Sequence, residues 1–187
     1  MYTKKYKIAV IIPVYNAEKY IKKCIKSFQK QTFQNFKLVL VNDGSKDKSG
    51  KICDDMAKKD ERIYVIHQEN KGAVEARKTG VLSQEAQEAD YIFLSDADDV
   101  VESDALEKLY NTAVEYDADC VCANMRKYWK GIKVNSRYKS PCFNIKAPSW
   151  IAKLNSSLFK SKPEVSFANF PQKLLLQIKN YDILMVQ

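Results

Sequence analysis

Apolar runs and helix-period stretches alternate along the first two thirds of the chain. Ile8-Ala9-Val10-Ile11-Ile12 is a continuous apolar run closed by Pro13, the pattern of a strand buried on both faces. After the turn Val14-Tyr15-Asn16, the residues Ile21, Cys24, Ile25 and Phe28 recur at helical spacing with lysines opposite. Phe36 to Val41 predicts a second strand, broken by Asp43-Gly44-Ser45, and Ile52, Cys53, Met56 and Ala57 mark the inner face of the next helix. Ile63 to Ile66 predicts a third strand and Gly72 to Leu82 a further helix. Tyr91 to Leu94 predicts a fourth strand. Ser103 then stands where it would cap a helix with the buried stripe Leu106, Leu109, Tyr110, Ala113 and Val114. Asp119 to Met125 reads as a fifth strand.

Repeated strand–helix units predict an α/β fold: a mostly parallel, twisted sheet with helices on both faces, in three layers. Ligands of such sheets bind beyond the carboxyl ends of the strands. The polar candidates all fall there: Pro13 to Asn16, Asn42 to Ser45, and Ser95 to Asp99. Further on, Tyr128 to Tyr138 predicts a hairpin around Gly131, and Pro148 to Leu158 a helix. Leu174-Leu175-Leu176-Gln177-Ile178 is apolar but has no evident partner. The division expected is a principal unit over residues 1–125 and a second region over 126–187.

Composition narrows the function classes. With 187 residues the chain suits one domain with a substantial core. No apolar run approaches the roughly 20 residues of a membrane-spanning helix. The apolar run after the basic start ends in Pro13 without a small-residue cleavage site, so a signal peptide is not expected and the cytoplasm is the expected location. Cys24, Cys53, Cys120, Cys122 and Cys142 show no paired spacing, which fits buried thiols in a reducing compartment. With one histidine in the chain, a Cys/His zinc site is not expected. The formal charge of +8 leaves three attractions open: anionic substrates such as nucleotide sugars, the inner face of an anionic membrane, or nucleic acid. Nucleic acid ranks last, because no basic–aromatic alternation tracks a phosphate backbone.

The sharpest chemical feature is Asp96-Ala97-Asp98-Asp99, directly after the fourth strand. On a strand-like path Asp96 and Asp98 point the same way and converge. Two unpaired carboxylates beside an apolar strand repel and lose hydration, and a divalent ion relieves both. Mg²⁺ or Mn²⁺, which prefer oxygen ligands, fit that donor set. The competing account is a helix-entry cluster favoured by the following helix dipole, which explains Glu102 and Asp104 better than Asp96. In Asn42-Asp43-Gly44-Ser45, Gly44 supplies turn freedom and Ser45 or Asp47 a helix cap, which leaves Asp43 to accept a hydrogen bond from a base or ribose. Tyr15 is placed either to stack on a base or to cover the sheet edge. Arg77 on spacing alone is a surface residue, and His67 a satisfied structural histidine.

Taken in order, Val10-Ile11-Ile12-Pro13-Val14-Tyr15-Asn16, Leu40-Val41-Asn42-Asp43-Gly44-Ser45, Asn70-Lys71-Gly72 with Ala76-Arg77, and Asp96-Ala97-Asp98-Asp99 resemble glycosyltransferase family 2, with a fainter echo near Ala152-Lys153-Leu154. The resemblance implies the GT-A fold, a Rossmann-like nucleotide-binding half joined to an acceptor half. It implies an inverting transfer from a nucleotide-diphosphate sugar, most readily a UDP-sugar, to a glycan or lipid-linked acceptor. Of the site residues Pro13, Val14, Tyr15, Asn16, Asp43, Arg77, Asp96, Ala97 and Asp98, it gives Tyr15 stacking on the base and Asp43 a hydrogen bond to it. It puts Arg77 nearby, Asp96 at the ribose and Asp98 on the metal of a DxD motif.

Three departures from the family pattern stand out. Asn42 replaces a common aspartate, and Lys78 a common asparagine. After Phe170-Pro171 the chain reads Gln172-Lys173-Leu174-Leu175-Leu176-Gln177, without the acidic pair that usually holds the catalytic base. The catalytic residue is therefore unassigned, and the resemblance implies a chain incomplete at its C-terminal side. An active transferase of hexosyl or N-acetylhexosaminyl type and a donor-binding fragment or pseudoenzyme both remain open. A phosphatase of the haloacid dehalogenase type is set aside, because its motif follows the first strand and not the fourth.

Overall fold

The computed structural model describes residues 5–118, with the backbone of short strands at 120–124, 127–129, 132–134 and 173–178. Strands β1 (Tyr6–Val14), β2 (Phe36–Asp43), β3 (Ile63–Gln68), β4 (Ala89–Leu94) and β5 (Cys120–Asn124) match the five expected runs. Helices α1 (Ile21–Gln29), α2 (Ser49–Ala57), α3 (Ala73–Val81) and α5 (Ala105–Glu115) fall on the four helical stretches, and a short α4 (Gln84–Gln87) precedes β4. Strands β6 (Lys127–Trp129) and β7 (Ile132–Val134) pair antiparallel, as the expected hairpin requires. The helix predicted at Pro148 to Leu158 lies outside the described residues.

The apolar run Leu174 to Ile178, which had no evident partner, belongs to β8 (Lys173–Ile178) and lies between β4 and β5. The six strands run in the order β3-β2-β1-β4-β8-β5, and all their pairings are parallel. A local pattern cannot reveal such a partner, because the pairing spans the sheet and not the neighbouring sequence.

Both faces of the central strands are buried, which explains their unbroken apolar runs. Ile8, Val10, Ile12 and Val14 of β1 pack with Leu38, Leu40, Tyr91 and Phe93 beneath α1, α2 and α5. Ala9 and Ile11 turn the other way, with Val39, Val41 and Ile92, beneath Ala76 of α3 and Ala86 of α4. The result is the three-layer α/β arrangement.

Strand order sets the position of a ligand crevice. From β1 the chain moves outward through β2 to β3, then returns to place β4 on the opposite side of β1. The carboxyl ends of β1 and β4 therefore diverge at a topological switch point, where open α/β sheets bind ligands. Pro13 does not end β1 as expected; it still pairs with Val41 of β2. It ends only the ladder to β4. Ile11 O accepts from Ser95 N at 3.1 Å, so the backbone polar groups of residues 11 and 13 face β4, and proline brings no N–H to continue the bonding. The sheet opens there.

Helix starts also depart from expectation. Ser103 does not cap α5; the helix begins after Asp104 with no side-chain cap. The buried Gln31 takes that role from a distance: its Oε1 accepts from Leu106 N at 2.9 Å, while its Nε2 donates to Glu102 O. For α2, Asp47 Oδ1 accepts from Ser49 N at 2.9 Å, and Ser45 is used elsewhere.

Candidate functional site

A cavity of about 600 Å³ opens at the switch point. The β1 end contributes Pro13, Val14, Tyr15 and Asn16, the β2 end Asp43, helix α3 Arg77, and the β4 end Asp96, Ala97 and Asp98. All nine residues singled out in the sequence thus line one space. Ala17, Tyr20, Asn70, Gly72 and Ala73 complete it. Of these, Asn70 and Gly72 belong to the motif Asn70-Lys71-Gly72. Tyr20 carried no signal beyond its place one residue before the buried stripe of α1.

Tyr15 is 50% exposed, an aromatic ring held open beside polar groups. Its backbone is clamped from the β2 loop. Ser45 Oγ accepts from Asn16 N at 3.1 Å and donates to Val14 O at 3.4 Å, one bond on each side of Tyr15. Asn16 adopts φ 47°, a left-handed conformation that asparagine tolerates, and its Oδ1 accepts from Lys46 N at 2.9 Å.

Ser45 is itself oriented from below. Its N–H donates to Asn42 Oδ1 at 3.3 Å, which leaves the Asn42 amide nitrogen to donate to His67 Nδ1 at 2.9 Å. That donor fixes Nδ1 as an acceptor, so Nε2 carries the proton and donates to Asp54 Oδ1 at 2.9 Å. His67 is therefore the satisfied structural histidine expected, and the departure at Asn42 has a use: its amide bridges loop and histidine.

Asp43 is 2% exposed. Its carboxylate accepts from Gln68 Nε2 at 2.7 Å, Lys71 N at 2.9 Å and Gly72 N at 2.8 Å. It thereby ties the 70–72 segment to the β2 end while lining the cavity. Gly44 makes this approach feasible. Its φ is +68°, and an added Cβ would lie 2.7 Å from Asn70 N.

The acidic segment is a turn and not the strand-like path expected. Strand β4 ends at Leu94, and Asp99 N donates to Asp96 O at 3.1 Å. The reason is packing: Ala97 is buried in the core with Cys24, Phe93 and Leu106, so the chain folds around it. The turn still achieves convergence. Carboxylate oxygens of Asp96, Asp98 and Asp99 all lie within 4.8 Å of one another. Arg77, read from spacing as a surface residue, reaches across from α3 to pair with Asp96 through its Nη2. Beneath the turn, Cys24 Sγ contacts Asp96 O at 3.5 Å. Burial, reinforced by the carboxylates of Asp99, Asp98 and Asp96, pushes its thiol up to about 12. Without a metal, Cys24 therefore stays protonated at neutral pH.

The cavity thus joins an open aromatic ring, a hydrogen-bonded carboxylate, an arginine and an oxygen-rich acidic turn. The profile of the glycosyl transferase family 2 domain matches residues 9–176. The chain belongs to that family. "Glycosyltransferase GlyG" of Streptococcus pneumoniae is 43% identical over 122 residues, covering 65% of this chain and 40% of that protein. Crystal structures of S. aureus TarS 1–349, one in complex with UDP and one with UDP-GlcNAc, superpose with TM-scores of 0.59 and 0.60 at 27% and 28% identity. Both matches cover 70% of this chain; they span 38% and 37% of those chains. The chain thus spans about two fifths of the length of each of these relatives.

Proposed function

We propose that the cavity binds a nucleotide-diphosphate sugar, a UDP-sugar foremost, with Mn²⁺ or Mg²⁺ held at Asp98, for inverting transfer to a glycan or lipid-linked acceptor. The observation that carries this reading is the convergence of Tyr15, Asp43, Arg77, Asp96 and Asp98 from three strand ends and one helix on one cavity. The complexes of TarS with UDP and UDP-GlcNAc support the choice of nucleotide and a hexosyl or N-acetylhexosaminyl donor.

Each residue then has a task. The exposed Tyr15 ring offers a face for the base, while Asp43 sits where it meets the base edge beside the segment it anchors. Asp96, which pairs with Arg77, takes the ribose on this reading. The clustered carboxylate oxygens fit a hard divalent cation, with Asp98 as the principal ligand. When bound, that ion stabilises the charge that develops on the departing diphosphate. Tyr15 and Asp43 hold the donor in register, and the buried floor beneath Ala97 keeps water from that side.

A second reading is favoured by one observation. The stretch after Phe170-Pro171 reads Gln172-Lys173-Leu174-Leu175-Leu176-Gln177, without an acidic pair. On this reading the chain binds donor and metal without transferring sugar.

Calorimetric titration with UDP and Mn²⁺ tests the site. The expected result is saturable binding that Asp98→Ala largely abolishes; equal binding by the variant, or none by the parent, would sink the assignment. Turnover of UDP- and GDP-sugars then separates the two readings, since binding without turnover favours the donor-binding fragment.

A further inference from the structure

We propose that the outer face of α1 is a docking surface for an anionic phospholipid membrane, seated at the rim of the donor cavity. Residues 19–30 contain Lys19, Lys22, Lys23, Lys26 and Lys30 and no acid. At about 100° per residue, the three within α1, Lys22, Lys23 and Lys26, fall within an arc of roughly 100°, and Lys19 and Lys30 flank the two ends of the helix. The buried residues Ile21, Cys24, Ile25 and Phe28 occupy the opposite side of the helix. All five lysines are exposed. None belongs to an ion pair among the described residues. The nearest acid in sequence, Glu18, is turned away, its carboxylate accepting from Lys48 N at 3.1 Å. At the start of α2, which packs beside α1, Lys48 and Lys51 are also exposed, while the exposed Asp55 is matched by Lys58.

The shape of this face selects among anionic partners. It is a convex helix surface, about 14 Å long at 1.5 Å per residue, so it cannot enclose a single polyanion chain. Its cations are all lysines, flexible hydrated point charges without the fixed fork that arginine offers a phosphate. A diffuse array of headgroups satisfies such a row; a shaped phosphate site does not need it. No aromatic residue lies within the lysine arc to stack on bases, which disfavours nucleic acid. Tyr20, between Lys19 and Lys22, is 55% exposed and lines the cavity, so the basic row begins at the cavity rim. An aromatic residue at that edge suits the membrane–water interface. The surface stands independently of the transferase reading, because its charges lie outside the donor site.

The test is co-sedimentation of the chain with vesicles of phosphatidylglycerol and phosphatidylcholine in equal parts, against vesicles of phosphatidylcholine alone, without donor or metal. Binding only to the anionic vesicles, weakening as salt rises, is expected. The triple variant Lys22→Glu, Lys23→Glu, Lys26→Glu should lose at least about tenfold in vesicle affinity. A control triple of equal charge change, Lys58→Glu, Lys59→Glu, Lys108→Glu, should lose much less, with circular dichroism confirming that both fold. Equal loss in the two triples would reduce the effect to net charge and overturn the proposal. So would absence of binding to anionic vesicles, or equally tight binding of a single-stranded oligonucleotide that depends on the same lysines.

Discussion

Ser45 holds Asn16 through a hydrogen bond from the Asn16 backbone N–H to the Ser45 hydroxyl, 3.1 Å long, and the same hydroxyl donates to Val14 O. A single side chain therefore fixes the peptide groups on both sides of Tyr15. Ser45→Ala removes both bonds, a loss of roughly 1 kcal/mol per neutral bond. Tyr15 would sample other orientations, and UDP affinity is expected to fall about fivefold. Ser45→Thr keeps the hydroxyl and should keep most of the affinity. Calorimetry on the two variants reads this directly; parent-like binding by Ser45→Ala would show that the clamp does not orient the ring.

Asp43 predicts a different failure. Asparagine is nearly isosteric, but one of its two side-chain ends is a donor, and the carboxylate receives N–H groups at both oxygens. Asp43→Asn therefore sets an N–H against Lys71 or Gly72. The expected loss is about 2 kcal/mol, localised to the segment before α3. Hydrogen exchange should quicken at the amides of Lys71 and Gly72 well before it does in β1 or β2. Uniform quickening across the sheet would instead mark a global loss of stability.

Much of this architecture was legible locally. Strands buried on both faces write unbroken apolar runs, so β1, β2 and β4 stood out, and loops at their carboxyl ends could be read as a site. What stayed hidden depends on distant partners. The place of β8 rests on strands more than fifty residues away in sequence. Gln31 caps α5 across the layer, a role that no spacing rule assigns to a glutamine in another element. Arg77 looked like a surface residue because helical periodicity reports the buried stripe and not what lies beyond a helix end. The acidic segment was read as extended because the burial of Ala97, which bends it into a turn, is a tertiary fact.

Gly50 sets two opposed effects against each other. Gly50 lies in the first turn of α2, where alanine gains at most about 1 kcal/mol over glycine. At this position its Cβ would lie 2.8 Å from Asn42 Nδ2 and 3.6 Å from His67 Cε1. Asn42 cannot move aside without breaking its bonds to His67 and Ser45. Overpacking of a fixed group costs about 1–3 kcal/mol, so the steric term is expected to win. Gly50→Ala should lower the urea midpoint, with a net loss on the order of 1 kcal/mol. A stabilised variant would mean that the Asn42–His67 pair yields freely.

Stability should also fall at low pH through Asp60. The Arg62 guanidinium, bonded to its carboxylate at 2.7 Å and 2.9 Å, holds the group at about 2. The folded value lies below the unfolded one, so the contribution is present above about pH 4 and is lost as pH falls towards 2. Its size is on the order of 1–2 kcal/mol, because the pair is only partly shielded from solvent. Urea unfolding at a series of pH values should show a decline across that window, and the decline should be smaller in Asp60→Asn. An identical pH profile in that variant would remove Asp60 from the account.

Arg77 leads to the least obvious outcome. Its guanidinium pairs with Asp96, so it places a positive charge beside the carboxylates proposed to receive a divalent cation. Like charges at such range oppose each other even in a partly hydrated cleft. In the absence of nucleotide, Arg77→Met should therefore bind Mn²⁺ more tightly than the parent, by roughly 3- to 10-fold. With UDP present the proposed donor site predicts the reverse order, because the variant would lose the group that orients Asp96 towards the ribose and offsets the diphosphate charge. Electron paramagnetic resonance titration of Mn²⁺, with and without UDP, separates the two effects in one series. Weaker metal binding in both conditions would show that Arg77 organises the turn instead of competing with the ion, and unchanged binding would place the ion away from Asp96.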